Sequence, residues 1–413
     1  MAKQSTLDYL YNLERFGIKL GLEAINDLLQ LLDNPQNKFR SIHIAGTNGK
    51  GSVSAYLAAI LSQAGYKVGW YTSPHLIRFN ERIRVDGKEI EDEELARLTK
   101  SIKDKAGKNN LSPTFFEFTT ALAFLYFAEQ KVDWAVIEAG MGGRLDATNV
   151  LKPEVSVITG ISFDHQKYLG DTLEKIAGEK AGIIKEDSQV VVGEKDSELV
   201  KIFKKRCEEK NSQLFVAKDE LKITNITDEG MKQSFVLSGR VNGKFAIKLL
   251  GRHQIDNACT AILTAELLVI EKAAIKRGVE SARWPGRLQF VSKNILVDCA
   301  HNVAGMETLR EFMLKRKDRK VLVLAMAEDK EIGKMAKLIA PLFKEVIITQ
   351  GNYKPAETKV IAEEVKKYVD KVKEIPKVET AIDEALRLVK EEGLILITGS
   401  IYMVGDALAV LKN

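Results

Sequence analysis

Residues 40–52 read RSIHIAGTNGKGS: a β-prone run, Arg40 to Ala45, passes directly into Gly46-Thr47-Asn48-Gly49-Lys50-Gly51-Ser52. Beyond it Val53, Leu57, Ile60 and Leu61 recur at helical spacing and Gly65 supplies a stop, so a helix is predicted from about Lys50 to Gln63. In a strand, glycine-rich turn and helix in that order, backbone N–H groups converge on phosphate oxygens at the positive end of the helix dipole. Lys50 carries the charge to neutralise terminal phosphates, and Ser52 has a hydroxyl able to ligate Mg²⁺ directly or through water. The run departs from strict P-loop spacing: Gly51 separates Lys50 from Ser52, and Ile44 stands where the first glycine would be. A glycine-rich turn with one surface lysine is the bland alternative, and the strand–turn–helix setting argues against it.

Outward from the loop, Tyr66 to Tyr71, Trp134 to Glu138 and Val155 to Thr159 are compact apolar runs of the kind found in buried parallel strands. Helical patterns cover Phe116 to Gln130 and Leu173 to Ile184. From Lys222 to Leu250 three short β-like runs, broken at Asp228-Glu229-Gly230 and Asn242-Gly243, predict a small antiparallel elaboration. A helix from about Ile255 to Ile270 follows, and Pro285-Gly286 then marks the clearest boundary in the chain. Strands at Ile295 to Cys299, Val321 to Met326, Val346 to Thr349 and Leu394 to Thr398 alternate with helices around Gly305 to Lys315, Glu331 to Pro341, Glu357 to Tyr368 and Val378 to Glu391. The expected fold class is α/β: a Rossmann-like P-loop ATPase domain over 1–283, a linker over 284–290, and a smaller, mostly parallel α/β domain over 291–413.

Two domains also suit a length of 413 residues, of which 45% are hydrophobic and 29% charged. The net charge of +5, from 62 basic and 57 acidic residues, is too balanced to argue for nucleic acid. Cys207, Cys259 and Cys299 are scattered, with neither a disulfide framework nor zinc spacing, and suit a reducing compartment. No apolar signal-peptide core follows Met1-Ala2-Lys3-Gln4-Ser5, and the longest apolar run, Ala121 to Ala128, is too short to span a bilayer. A cytoplasmic, monomeric protein without membrane or nucleic-acid partners is expected.

Several chemically capable side chains follow strands, where the crevice of an open parallel sheet lies. Ser73 sits in Thr72-Ser73-Pro74-His75, Glu138 opens Glu138-Ala139-Gly140-Met141-Gly142-Gly143-Arg144-Leu145-Asp146, and His165 follows Asp164. Ser52, Ser73, Glu138 and His165 form a candidate oxygen/nitrogen site for Mg²⁺, the histidine being its least typical member. The structural alternatives are Glu138 as a cap or partner of Arg144, and Asp146 as a cap. In the second domain Asp298 ends a strand before His301-Asn302, either as ordinary capping residues or as contributors to phosphoryl transfer together with Arg287.

Together these residues resemble the folylpolyglutamate synthase/dihydrofolate synthase family of Mur-type ligases. The likeness runs in order through GTNGKGS at 46–52, TSPHL at 72–76, FFE at 115–117, E-x-G-x-GGRLDATN at 138–149 and DH at 164–165. It continues through EKAGIIK at 179–185, GRHQIDNA at 251–258, WPGR at 284–287, D-x-AHN at 298–302 and TGS-x-Y-x-VG at 398–405. Cys299 and Val303 stand where Gly and Pro are more usual, and Ala325 to Lys330 is a variant of a glycine-containing loop.

The resemblance implies that Gly49, Lys50, Gly51 and Ser52 hold ATP phosphates, with Asn257, Arg287 and Asp298 as further nucleotide contacts. It implies Ser73, Glu138 and His165 as Mg²⁺ ligands, and a pterin-bearing substrate against Thr114, Phe115, Phe116, Glu117, Leu145, Asp146 and Ala147. Lys180 matches a lysine that is carbamylated in this family; the plain alternative is an exposed helix lysine paired with a carboxylate. The implied partners are ATP, L-glutamate and a folate or dihydropteroate, joined through an acyl phosphate, with Lys50, Lys180 and His301 as catalytic candidates. Two other readings are a Mur-type ligase acting on a cell-wall precursor and a nucleotide-dependent switch; Asn37-Lys38-Phe39-Arg40 lacks the Asp of a guanine-reading motif.

Overall fold

The strand Arg40–Ala45 is buried at every position after Arg40, and it pairs in parallel on both sides, with Trp134–Glu138 and Val155–Ile158. Burial on both faces explains why these strands are continuous apolar runs instead of alternating ones. In the computed structural model, which describes residues 3–17, 21–316, 319–389 and 393–412, this strand lies inside an eight-stranded sheet. The spatial order is Lys88–Glu89, Ile83–Val85, Val68–Tyr71, Trp134–Glu138, Arg40–Ala45, Val155–Ile158, Gln189–Val192 and Gln213–Val216. Only the first two pairings are antiparallel, so Ile83–Val85 alone runs against the other strands. The chain leaves Arg40–Ala45 towards Val68–Tyr71 and later returns on its other side at Val155–Ile158. The carboxyl end of Arg40–Ala45 is therefore the switch point at which such sheets bind ligands.

This sheet belongs to the first of two compact units, Met1–Lys248 with Gln254–Arg283; the second is Leu249–His253 with Trp284–Asn413. Helices Lys3–Asn12, Glu23–Leu31, Asp92–Lys108 and Phe115–Glu129 bury one core around Phe118, Phe124 and Phe127. A second core gathers Ile158, Ile183, Val190 and Phe203. The antiparallel elaboration consists of Leu221–Asp228, Gln233–Gly239 and Gly243–Ile247. The strands Gln189–Val192 and Gln213–Val216 extend the sheet beyond the strands expected from the sequence. The helix expected to reach Ile184 ends at Ala181, where a glycine follows.

The second unit holds a six-stranded sheet ordered Gln289–Ser292, Ile295–Asp298, Leu394–Thr398, Lys320–Leu324, Glu345–Ile348 and Lys371–Glu374. All of its pairings are parallel except the first. The last part of the expected linker over 284–290 is strand. Gln289 already begins the antiparallel edge strand, held by Phe290 packing onto the unit's core. The helix expected to end at Glu391 is described as Val378–Val389, and residues 390 and 391 lie outside the described residues, as do Met1 and Ala2. Among the described residues no helix is long and apolar enough to cross a membrane.

In the first unit helix Lys272–Ser281 packs on the loop's own helix, Lys50–Gln63, at a close approach made possible by Gly278. A Cβ there would lie 2.4 Å from the Ile60 Cα, which is backbone and has no room to yield. Gly278→Ala should therefore destabilise the protein by about 1–3 kcal/mol in urea denaturation. Gly107, also helical, has open space around it. Gly107→Ala should stabilise by about 0.5–1 kcal/mol in the same assay.

Candidate active site

Helix Lys50–Gln63 starts at Gly49, whose φ of 94° is left-handed and which offers no side chain to cap the first turn. Most helices satisfy those N–H groups with a Ser, Thr, Asp or Asn cap. Here they point from a glycine-rich loop, the arrangement that suits a phosphate. The loop is braced by the segment after Val155–Ile158. Thr47 N and Asn48 N donate to the Gly160 carbonyl at 2.8 and 3.4 Å, and Thr159 Oγ1 donates to the Asn48 carbonyl at 2.8 Å. Thr47 Oγ1 and Asn48 Nδ2 reach Ser162 at 3.0 and 3.1 Å.

Asn257, on helix Arg252–Leu267, packs against this loop: a Cβ on Gly49 would lie 2.6 Å from its Oδ1. Gln254, one helical turn earlier, accepts from Asn257 Nδ2 at 3.2 Å and donates to Ser52 Oγ at 3.1 Å. Sequence reasoning missed Gln254 as a contributor. Its signal was the i, i+3 spacing from Asn257, which puts both side chains on one helix face.

Lys50 Nζ folds back onto the carbonyls of Gly46 at 3.1 Å and Thr47 at 3.2 Å. Lys180 Nζ, 134 residues along the chain, donates to the same Gly46 carbonyl at 2.8 Å. Lys180 is only 3% exposed, so the reading as a surface lysine paired to a carboxylate does not hold. Burial, and then the charge of Lys50, lower its pKa to about 7, against the opposing pull of Asp164 and Asp146.

Glu138 ends the strand Trp134–Glu138, is buried, and lies 3.4 Å from the Ser73 N–H. Arg144, its alternative partner, pairs with Glu179 at 2.9 Å. His165 stands exposed at the start of helix Gln166–Leu169 in a left-handed conformation, φ 50°, next to Asp164. Among the described residues no group of three or more His, Cys, Asp or Glu side chains forms a metal cluster. The candidate set therefore rests on hydroxyls, one carboxylate and one imidazole.

Along the expected substrate wall, Thr114 and Glu117 form a capping box for helix Phe115–Glu129. The buried Glu117 carboxylate accepts from Thr114 N at 2.7 Å and from its Oγ1 at 2.8 Å. Phe115 and Phe116 are left half-buried; Phe115 stacks on Tyr11 with ring centroids 6.2 Å apart. Asp146 caps the short helix Ala147–Val150 and accepts from Met141 N at 2.8 Å, while Leu145 beside it stays partly exposed. Burial raises the Asp146 pKa against these hydrogen bonds. Thr148 Oγ1 donates to Asp146 and contacts His43 Nε2 at 2.7 Å; burial holds that imidazole neutral, at a pKa of about 3.

In the second unit the Asp298 carboxylate accepts from Leu288 N at 2.8 Å and Ala300 N at 2.9 Å. Burial raises its pKa, opposed by Arg287, those two hydrogen bonds and His301. His301 Nδ1 lies 2.9 Å from the Cys299 carbonyl, and Asn302 caps helix Val303–Leu314 by accepting from Gly305 N at 2.8 Å. Asp298 thus holds together the segments that carry Arg287 and His301.

A phosphate loop at a switch point, followed by a second parallel α/β unit, is the organisation of the Mur-type ligases. The Mur ligase middle domain matches residues 44–265, and the Mur ligase glutamate ligase domain matches residues 286–401. The dihydrofolate synthase/folylpolyglutamate synthase of Bacillus subtilis is 35% identical, with 100% of this chain and 99% of that protein covered. Among solved structures, Thermotoga maritima folylpolyglutamate synthase is 34% identical with a TM-score of 0.88, covering 100% of this chain and 97% of the other. Mycobacterium tuberculosis folylpolyglutamate synthase, solved with ADP and AMPPCP, is 30% identical with a TM-score of 0.92, covering 100% and 99%. The chain belongs to the folylpolyglutamate synthase/dihydrofolate synthase family.

Gly49→Ala tests the loop geometry. A side chain there meets both a left-handed φ and the Asn257 carbonyl oxygen. ADP affinity measured by calorimetry should fall by about tenfold or more, with a circular dichroism spectrum like that of the parent chain.

Proposed function

We propose that this chain is an ADP-forming ligase that adds L-glutamate to a folate and also accepts dihydropteroate. The observation that carries this reading is the convergence of Lys50 and the buried Lys180 on one carbonyl of a phosphate loop. Its setting is a chain that aligns end to end with synthases of this activity. Neither a cell-wall precursor ligase nor a nucleotide switch is favoured by those relatives.

A carboxylate resists attack by an amine because its leaving group is poor. Attack of the substrate carboxylate oxygen on the γ-phosphorus of ATP releases ADP and gives an acyl phosphate. The glutamate amine then displaces phosphate and loses a proton. We assign Lys50, with the first-turn N–H groups of Gly51 and Ser52, to charge on the phosphates. From the second unit we assign Arg287 to the same charge, Asp298 to holding Arg287 and His301 in place, and His301 to the amine's proton. Asn257, beside Gly49, is assigned to the nucleotide. Phe115, Phe116, Leu145 and Ala147 are assigned to the flat pterin, with Thr114, Glu117 and Asp146 shaping that wall.

The donor set fits Mg²⁺, which prefers hard oxygens and keeps several waters. The Ser52 hydroxyl lies on the loop, and the buried Glu138 carboxylate lies beside Ser73. Ser52, Ser73, Glu138 and His165 would hold the ion, which supplies positive charge to the phosphate oxygens.

Lys180 is assigned as a carbamate. With a pKa near 7, much of its amine is neutral at physiological pH. The nitrogen lone pair adds to the carbon of CO₂, an N–C bond forms, and one proton leaves, giving an anionic group beside Lys50. The three cysteines are buried and none forms a disulfide, which suits the cytoplasm, where we place the reaction.

Mass spectrometry with ATP, glutamate and either pterin substrate should find the mono- and polyglutamyl products, and ATP hydrolysis without amide product would overturn the reading. In that assay Lys50→Ala should lower turnover by about a thousandfold or more with its melting temperature little changed. Lys180→Ala should be nearly inactive and partly restored by acetate or formate. An unmodified amine in the active, CO₂-equilibrated enzyme would contradict the carbamate.

A further inference from the structure

The strand Arg40–Ala45 carries the phosphate loop at one end and borders a second cleft at the other. That cleft, about 880 Å³, opens at the amino ends of Arg40–Ala45, Val155–Ile158 and Gln189–Val192, and is lined by five cations: Arg40, Lys152, Lys185, Arg206 and Lys210. Its volume falls within the roughly 300–1,000 Å³ of small-molecule sites. At about 3.3 Å per strand residue, the strand sets it roughly 17–20 Å from Gly46, outside the nucleotide site.

Three of the five cations are matched by carboxylates. Arg40 pairs with Glu154 at 3.1 Å, Lys210 with Glu186 at 2.9 Å, and Arg206 with Glu209 at 3.0 Å. The remaining acid of the cleft, Asp187, accepts from Asn211 Nδ2 at 2.6 Å. Two lysines are left over. Lys185 is half-buried, and its Nζ donates to the Asn149 carbonyl at 2.7 Å, a neutral partner. Lys152 is exposed, with no carboxylate in ion-pair range among the described residues. Burial, then Lys210 and Lys152, lower the Lys185 pKa to about 8. Crowding of like charge around a half-buried amine is a cost that a bound anion relieves.

We propose that this cleft binds a small polyanion, one with at least two carboxylate or phosphate groups, held by Lys152 and Lys185 with Lys210 adjacent. A single charge would leave one of the two lysines uncompensated. Leu268 and Val269, the latter 90% exposed, form an apolar rim against which an organic ligand's body would rest. The charged groups facing Lys185 are Lys152 and Lys210, with Glu186 and Asp187 beside them and the neutral His43 behind. Anion binding favours protonated Lys185, so affinity falls as pH rises through about 8.

The test is titration calorimetry on the full chain saturated with Mg-ADP, using trimellitate or pyrophosphate at ionic strength matched with NaCl. One equivalent of at least one probe should bind. Tighter trimellitate identifies an organic polycarboxylate, and tighter pyrophosphate a phosphate compound. Lys152→Ala should weaken binding about tenfold, and Lys152→Ala with Lys185→Gln should remove it. Raising the pH from 7 to 9 should weaken binding of trimellitate, whose carboxyls stay ionised throughout, by about tenfold through loss of the Lys185 proton. Lys152→Glu alters only an exposed side chain and should abolish binding even where Lys185→Gln fails to fold. Neither probe binding above the chloride control, affinity unchanged by both Lys152 variants, or affinity constant to pH 9 would overturn the proposal.

Discussion

The carbonyl oxygen of Gly46 receives two ammonium groups, Lys50 at 3.1 Å and Lys180 at 2.8 Å. Burial, and second to it the charge of Lys50, lower the Lys180 pKa to about 7, so of the two ammonium groups on this one backbone dipole the more deeply buried is the one that yields its proton more readily. Gly46 itself has no room for a side chain: a Cβ would fall 1.8 Å from Thr159 Oγ1. The strand end, the loop, the start of its helix and the distant helix that carries Lys180 are thus fixed by contacts at a single residue.

Support for that residue comes from rigid elements. Arg40–Ala45 is held by parallel neighbours on both sides, and the segment after one of them grips Thr47 and Asn48. The Asp146 turn is tied into the same strand through Thr148 and the neutral His43, so the expected pterin wall and the phosphate loop share one frame. In the second unit Asp298 plays a comparable part, joining two segments of backbone through one buried carboxylate.

The loop and both parallel sheets were legible because their strands are continuous apolar runs bounded by glycines and polar turns. The proposed assignment of Lys50 to phosphate rests on its position in that strand, turn and helix. That of Lys180 does not: residue by residue it is a helix lysine beside a glutamate, and only the ordered set of motifs marked it. Its burial depends on a contact 134 residues away, which no local pattern contains. Lys371–Glu374 was illegible for a different reason; its sequence, KVKE, carries the charges that protect a sheet edge and so mimics a loop. Glu117 shows a third kind of blindness, since a capping box and a ligand contact ask for the same residue type at the same place.

Helix Lys50–Gln63 begins without a capping side chain, and that omission has a thermodynamic reach beyond the loop. A missing cap leaves a helix about 1 kcal/mol short of what its sequence could have had. A nucleotide bound there, as proposed, would supply the acceptors instead, and occupancy and foldedness would become linked functions of ligand concentration. At a hundred times its dissociation constant, such a ligand adds about 2.7 kcal/mol to the native state. A cell with abundant adenine nucleotide would therefore hold a longer-lived population of this protein than a starved one, with no change in its synthesis.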